Sequence, residues 1–220
     1  MIKGVIFDMD GVLVSSEEFM VECAKAALEK YGVFPEKEDF EPFVGAGEDR
    51  FIGGVSEKYG VPYKTEMKEF AYSVYVEKAE TGVRRFKEIP ELFQRLHDAG
   101  LLIAIASSAD EIKVRTNIRV AGIPESTISA FLTGSQVERK KPFPDIFIEA
   151  ANRLGLAPEN CIVIEDAVNG IQAASAAGMI SIGVTGSFPA ETLLAEGAYH
   201  TVDETRDVAE WILVHCSENI

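Results

Sequence analysis

A succession of short, unbroken apolar runs separated by stretches of helical periodicity constrains this chain more than any other feature. Gly4-Val5-Ile6-Phe7, Leu101 to Ala106, Cys161-Ile162-Val163-Ile164 and Ile180 to Val184 are such runs, with a weaker one at Ala130-Phe131-Leu132. Strands buried on both faces read this way, because neither face of the pleat has to meet water. Between them, Leu92, Phe93, Leu96 and Ala99 stripe a helix that Gly100 ends, Ile112, Val114 and Ile118 stripe another, and a third follows Pro144. The alternation from Ile89 onward predicts an α/β fold with a doubly wound, mostly parallel sheet. In such a sheet the ligand site lies beyond the carboxyl ends of the strands.

The stretch after the first strand has a different rhythm. Met20, Cys23, Ala24, Ala27, Leu28 and Tyr31 mark one face of a helix, for which Ser15 is the expected cap, Glu18 its capping-box partner and Gly32 the end. Helical stretches follow at about 48–59 and 65–79, with proline and glycine between them and no convincing strand. A helical insert is therefore expected between the first strand and the next α/β unit. No internal repeat or low-complexity tract interrupts the chain.

Composition narrows the possible partners. Hydrophobic residues make up 47% and charged residues 26% of 220, as in a soluble globular protein of one large domain, or one carrying a smaller insert. Formal net charge is -15, from 36 acidic and 21 basic residues, so a nucleic-acid backbone would be repelled. Small anions remain acceptable where a local cation reverses the potential. Cys23, Cys161 and Cys216 are far apart and suggest neither a zinc site nor a disulfide framework, which suits a reducing compartment. Met1-Ile2-Lys3-Gly4 enters a strand directly without a signal-peptide pattern, and no run is long enough to span a bilayer; a cytoplasmic protein is expected. His97, His200 and His215 have no cysteine or carboxylate cluster nearby and are read as surface or structural residues.

Polar side chains gather just past the strands. Asp8 and Asp10 follow the first, with Gly11 marking the turn; Ser107 and Ser108 follow the second; Lys140 and Lys141 come after the third; Glu165 and Asp166 end the fourth. Each has a plain structural explanation: a solvated turn, a serine capping the helix near Ala109-Asp110, a loop lysine, acids at a helix start. Their convergence on one sheet edge suits phosphoryl transfer through an aspartyl phosphate better than four coincidences. A carboxylate attacking a phosphate dianion meets a repulsion of roughly 4 kcal/mol at about 4 Å and intermediate dielectric, which a lysine and a hard cation would offset.

Four segments carry a family resemblance: DMDGVLV at the first strand, IASSAD at the second, KKPFPDIF after the third and VIEDAVNGIQAA at the fourth. Together they resemble the haloacid dehalogenase superfamily, in its β-phosphoglucomutase-like branch, over nearly the whole chain. The resemblance implies a Rossmann-like parallel core of residues 1–15 and 82–220, with an α-helical cap, residues 16–81, inserted after the first strand. It implies Asp8 as nucleophile and Asp10 as general acid and base, Ser107, Ser108 and Lys141 on the substrate phosphate, and Mg²⁺ held by Asp8, Asp10 through its main-chain carbonyl and Asp166, with Glu165 a further ligand or a support behind them. Lys140 has no family role, and Ser16 stands where relatives have a hydroxyl that positions the acid/base.

Three departures bear on the substrate. True β-phosphoglucomutases carry a histidine where this chain has Met20 and a cap loop resembling G-x-S-R-E, whereas here it reads Gly45-Ala46-Gly47-Glu48-Asp49-Arg50, with Arg50 a candidate substitute. Ser15 also replaces the acidic residue usual beside Ser16. The expectation is a Mg²⁺-dependent phosphatase of a small phosphorylated metabolite, a sugar or polyol phosphate, with β-phosphoglucomutase as the alternative. A monomer or weak homo-oligomer, with no membrane or nucleic-acid partner, completes it. A dinucleotide-binding enzyme would need G-x-G-x-x-G after the first strand, where acids stand instead.

Overall fold

In chain order the fold runs β1 (Gly4–Phe7), β2 (Val14–Ser15), α1 (Glu17–Glu29), α2 (Glu48–Lys58), α3 (Thr65–Gly82), β3 (Arg84–Arg85), α4 (Ile89–Asp98) and β4 (Leu102–Ala106). It continues through α5 (Glu111–Ala121), β5 (Ala130–Leu132), α6 (Asp145–Leu154), β6 (Cys161–Glu165), α7 (Val168–Ala176), β7 (Ile180–Val184), α8 (Ala190–Ala195), β8 (His200–Val202) and α9 (Asp207–His215). The computed structural model describes residues 1–44 and 46–215, so Gly45 and Cys216 lie outside the described residues.

A six-stranded sheet has the order β5-β4-β1-β6-β7-β8, and every pair in it is parallel. The chain winds from β1 through β4 to β5 on one side, then returns to build β6, β7 and β8 on the other. β1 is thus the switch point, where the connections on either side diverge and leave a crevice at the carboxyl edge. Register aligns the strand ends: Phe7 sits opposite Ile105 on β4 and Ile164 on β6.

Alternate residues of the strands feed the two faces. Val5, Phe7, Ile103, Ile105, Ile162 and Ile164 join α4 and α9 in one apolar cluster; Ile6, Ala104, Ala106 and Val163 join α6 and α7 in another. Both faces of these strands are covered, which accounts for their unbroken apolar sequences. The short β2 and β3 pair antiparallel, Val14 opposite Arg85 and Ser15 opposite Arg84, so the chain leaves for the helices α1 to α3 and returns at one place. These helices pack on one another, and their apolar residues are continuous with the cluster around β1.

Several local expectations are corrected. Ser15 lies in β2, and Ser16 takes the N-cap position of α1 without a capping hydrogen bond, because its hydroxyl donates to Asp10 instead. Glu18 pairs with Lys37 and closes no capping box. On α5 the N-cap position belongs to Asp110, and neither serine before it caps the helix. Ile112, taken as part of the buried stripe, is 46% exposed. β2, β3, β8, α8 and α9 had no sequence-based expectation; strands of only two or three residues have no readable period. His200 and His215 stack on Trp211, at 5.3 and 4.4 Å between ring centroids, a structural use of both. Cys23 and Cys161 are buried free thiols. Among the described residues no helix is long and apolar enough to cross a membrane.

The Phe7 and Phe93 rings stack at 5.0 Å, both fully buried, and tie α4 to the central strand. Phe93→Ala is expected to cost about 3–5 kcal/mol, a fall in Tm on the order of 10 °C by calorimetry. A change of under about 3 °C would contradict this central packing role.

Candidate active site

The floor of the crevice is built where β1 and β6 end. Asp8 follows β1 directly and is buried; its amide donates to Ile164 O at 2.9 Å, extending the β1–β6 ladder by one step. Glu165 is the last residue of β6 and is 2% exposed. Lys141, on the loop before α6, points its ammonium between them, 2.6 Å from Asp8 Oδ1 and 2.5 Å from Glu165 Oε1. A buried lysine needs such partners, because an unpaired charge in that position would be costly. Lys140 instead donates to Gly134 O.

Glu165 also serves the helix that follows, since its Oε2 accepts from the amides of Asp166 and Ala167, both at 2.8 Å. The helix-start reading and the site reading of this acid are therefore both realised, one oxygen for each. Gly170, on the first turn of α7, leaves room for that carboxylate, which a Cβ would overlap. Gly11 does the same for Asp166, and its φ of 82° supports the turn after β1. The Ser187 hydroxyl donates to Asp166 Oδ2.

Asp10 is held from three sides. Ser16 donates to its Oδ1, Asn117 Nδ2 donates to the same oxygen at 3.4 Å, and Lys113 Nζ lies 3.1 Å from Oδ2. Tyr75 on α3 donates to Asn117 Oδ1 at 2.6 Å, so the helical insert supports this network through α5. Lys113 also faces Glu48 of α2 at 3.8 Å. The Ser107 hydroxyl accepts from the Ala109 amide at 3.2 Å and is 1% exposed, while Ser108 is half-buried.

Asp8, Asp10, Ser107, Ser108, Lys141, Glu165 and Asp166 all line a single cavity of about 530 Å³. Its other wall comes largely from the insert, with Met20, Val21, Phe43, Val44 and Phe51 beside the acids Glu17 and Glu48. Arg50 does not reach it: the guanidinium pairs with Glu57 at 3.0 Å and lies over Phe43. Lys113, Asn117, Tyr75, Glu48 and Ser187 were missed in the sequence. For the α5 pair one signal was available: Lys113, Thr116, Asn117 and Val120 recur at helical spacing, and all are buried.

Burial pushes the Asp8 carboxyl up to about 7, against the pull of Lys141 and with help from Glu165 and Asp10. Asp166 is raised well above the usual range, first by burial and then by Glu165 and Asp8. Burial alone would lower the Lys141 ammonium, but Asp8 and Glu165 outweigh it and hold it high. Three buried acids around one ammonium leave excess negative charge, and one oxygen from each lies within 4.8 Å of the others. A hard divalent cation fits that set of oxygen donors.

Known proteins resemble this chain over most of its length. Residues 5–184 match the sequence profile described as haloacid dehalogenase-like hydrolase. The chain is 40% identical over 83% of its length to the protein SUPPRESSOR OF QUENCHING 1, chloroplastic, of Arabidopsis thaliana, and spans only 18% of that protein. It is 32% identical to hexitol phosphatase A of Escherichia coli, over 86% of this chain and 85% of that one. A crystal structure of β-phosphoglucomutase from Clostridium difficile superposes with a TM-score of 0.82 at 25% identity, covering 99% of this chain and 98% of the other.

The raised Asp8 carboxyl has a measurable consequence. Its folded-state value lies above the ordinary 3.8, so the stabilisation from protonating it is present below that value and lost as pH rises to about 7. Metal-stripped protein should therefore lose Tm between about pH 4 and about pH 8, with a smaller loss in Asp8→Asn or with a divalent cation bound. A pH slope identical in all three samples would contradict the assignment.

Proposed function

The chain belongs to the haloacid dehalogenase-like hydrolase family, and from that premise we propose that it hydrolyses the phosphate ester of a small metabolite, a sugar or polyol phosphate, through an aspartyl-phosphate intermediate. One observation carries the reading: Asp8 sits on the floor of a cavity with the Lys141 ammonium 2.6 Å from its carboxylate and two further acids beside it. A carboxylate so placed is supplied with positive charge where a phosphate dianion would dock.

In this mechanism Asp8 attacks phosphorus, an acyl phosphate forms, and the bond to the ester oxygen breaks. Asp10 gives its proton to that departing oxygen, then takes one from the water that attacks the phosphorus and releases phosphate. Ser16, Asn117 and Lys113 fix the direction in which the Asp10 carboxyl points. Lys141, Ser107 and Ser108 hold the phosphoryl oxygens, Lys141 by charge and the serines by donating from their hydroxyls. Asp8, Glu165, Asp166 and the Asp10 carbonyl would hold Mg²⁺, which when bound supplies positive charge that offsets repulsion between Asp8 and the substrate.

Residues 16–81 act as a cap on a core of residues 1–15 and 82–220, with Met20, Phe43 and Phe51 keeping water from the ester. Two buried free thiols suit a reducing compartment such as the cytoplasm. β-Phosphoglucomutase is the second reading, favoured by likeness of fold. Met20 on the cap side and Arg50 turned towards Glu57 weigh against it.

Asp8→Asn should lower kcat by about 10³-fold or more while the circular dichroism spectrum is unchanged, and residual wild-type turnover would remove the nucleophile assignment. Asp10→Asn should cost about 10²- to 10⁴-fold. Robust conversion of β-glucose 1-phosphate to glucose 6-phosphate, primed by a bisphosphate in a coupled assay, would replace the phosphatase reading with the mutase.

A further inference from the structure

Of the three clustered acids, Asp166 is held differently from the other two. Asp8 and Glu165 share the Lys141 ammonium, whereas Asp166 is buried and, among the described residues, pairs with no lysine or arginine. The side-chain donor that it meets is the Ser187 hydroxyl, on Oδ2. Gly11 closes over the same oxygen, since a Cβ there would overlap Oδ2. Oδ2 is thus committed to the protein, and Oδ1 is the oxygen that remains for a cation.

Ser187 reaches this acid from a loop that is tied down at both ends. After β7 the Thr185 amide donates to Val202 O at 2.9 Å, carrying the β7–β8 ladder one step further, and the Thr185 hydroxyl donates to Asp203 Oδ1 at 3.1 Å. At the other end the Pro189 carbonyl accepts from the amides of Thr192 and Leu193, at 3.0 and 3.2 Å, in the first turn of α8. β7 lies next to β6 in the sheet, so the tip of the loop stands beside the acids that follow β6, and Ser187 lines the cavity. A carboxylate pressed by two like charges and tied to no ammonium turns away from them unless a donor holds it, and a serine hydroxyl has one proton to give.

We propose that Ser187 is a positioning residue for the divalent cation: its hydroxyl fixes the Asp166 carboxylate through Oδ2 and leaves Oδ1 free to ligate. The loop after β7 thereby sets the affinity of the site while Ser187 touches neither the cation nor the substrate. This rests on the reading of Asp8, Glu165 and Asp166 as the cation site of a phosphatase.

The test is isothermal titration calorimetry of Mg²⁺ into the wild type, Ser187→Ala and Ser187→Thr, each stripped of metal, with KM for p-nitrophenyl phosphate at saturating Mg²⁺ measured alongside. Ser187→Ala should raise the Mg²⁺ Kd by about 10- to 100-fold, and Ser187→Thr, which keeps the hydroxyl, should return it to within about threefold of the wild type. The metal-free variants should melt within about 3 °C of the wild type, as substitutions at exposed positions do, which separates positioning from a fold defect. A Mg²⁺ Kd within about threefold of the wild type in Ser187→Ala overturns the proposal, and so does a Ser187→Thr that binds no better than Ser187→Ala. A raised KM for p-nitrophenyl phosphate with an unchanged Mg²⁺ Kd also overturns it, and gives the hydroxyl to the substrate phosphate. A wild type that binds no Mg²⁺ removes the cation site and the Ser187 assignment together. A wild type that binds Mg²⁺ but turns over no phosphate ester removes the phosphatase reading, and the Kd comparison still decides for or against Ser187.

Discussion

The Lys141 ammonium, shared by Asp8 and Glu165, is the interaction on which the remainder of the site depends. It joins three segments: the end of β1, the end of β6 and the loop that leads into α6. Without it, adjacent strand ends would present like charges to each other in a place from which water is largely removed, a cost that a parallel sheet alone cannot repay. With it, negative charge can be concentrated at the switch point and left partly uncompensated. That residual charge is what makes a divalent cation fit, and together with burial, the larger cause, it holds the Asp8 carboxyl up.

A second set of polar contacts ties the helical insert to this floor, and it runs through α5. Tyr75 reaches Asn117, which reaches Asp10; Lys68 pairs with Asp110 at 3.0 Å; Lys113 faces both Asp10 and Glu48. Helices α2 and α3 are therefore registered against the core by groups that also orient the acid/base candidate. Placement of the insert and orientation of Asp10 are coupled through α5.

Much of the fold was legible because strands covered on both faces must be apolar throughout. β1, β4, β6 and β7 announce themselves that way, and helices α1 and α4 show their stripe. Where an element is short, the signal fails: β2 and β3 have two residues each, and Arg84 and Arg85 are exposed. Capping was misread at Ser15 for a different reason. A hydroxyl near a helix start has two possible acceptors or donors, and only the fold brings Asp10 close enough to Ser16 to win.

By itself the sequence determined the alternation of elements and the presence of acids, hydroxyls and a lysine just beyond successive strands, because burial and turn chemistry leave local periodic marks. Tertiary structure alone decided which of the adjacent Lys140 and Lys141 enters the floor, since its partner Asp8 is 133 positions away. It alone brought Lys113 and Glu48 to opposite sides of one gap, from helices that are distant in the chain. Pairing of buried charges is a matter of distance in space, and local sequence pattern records only which face of an element is covered.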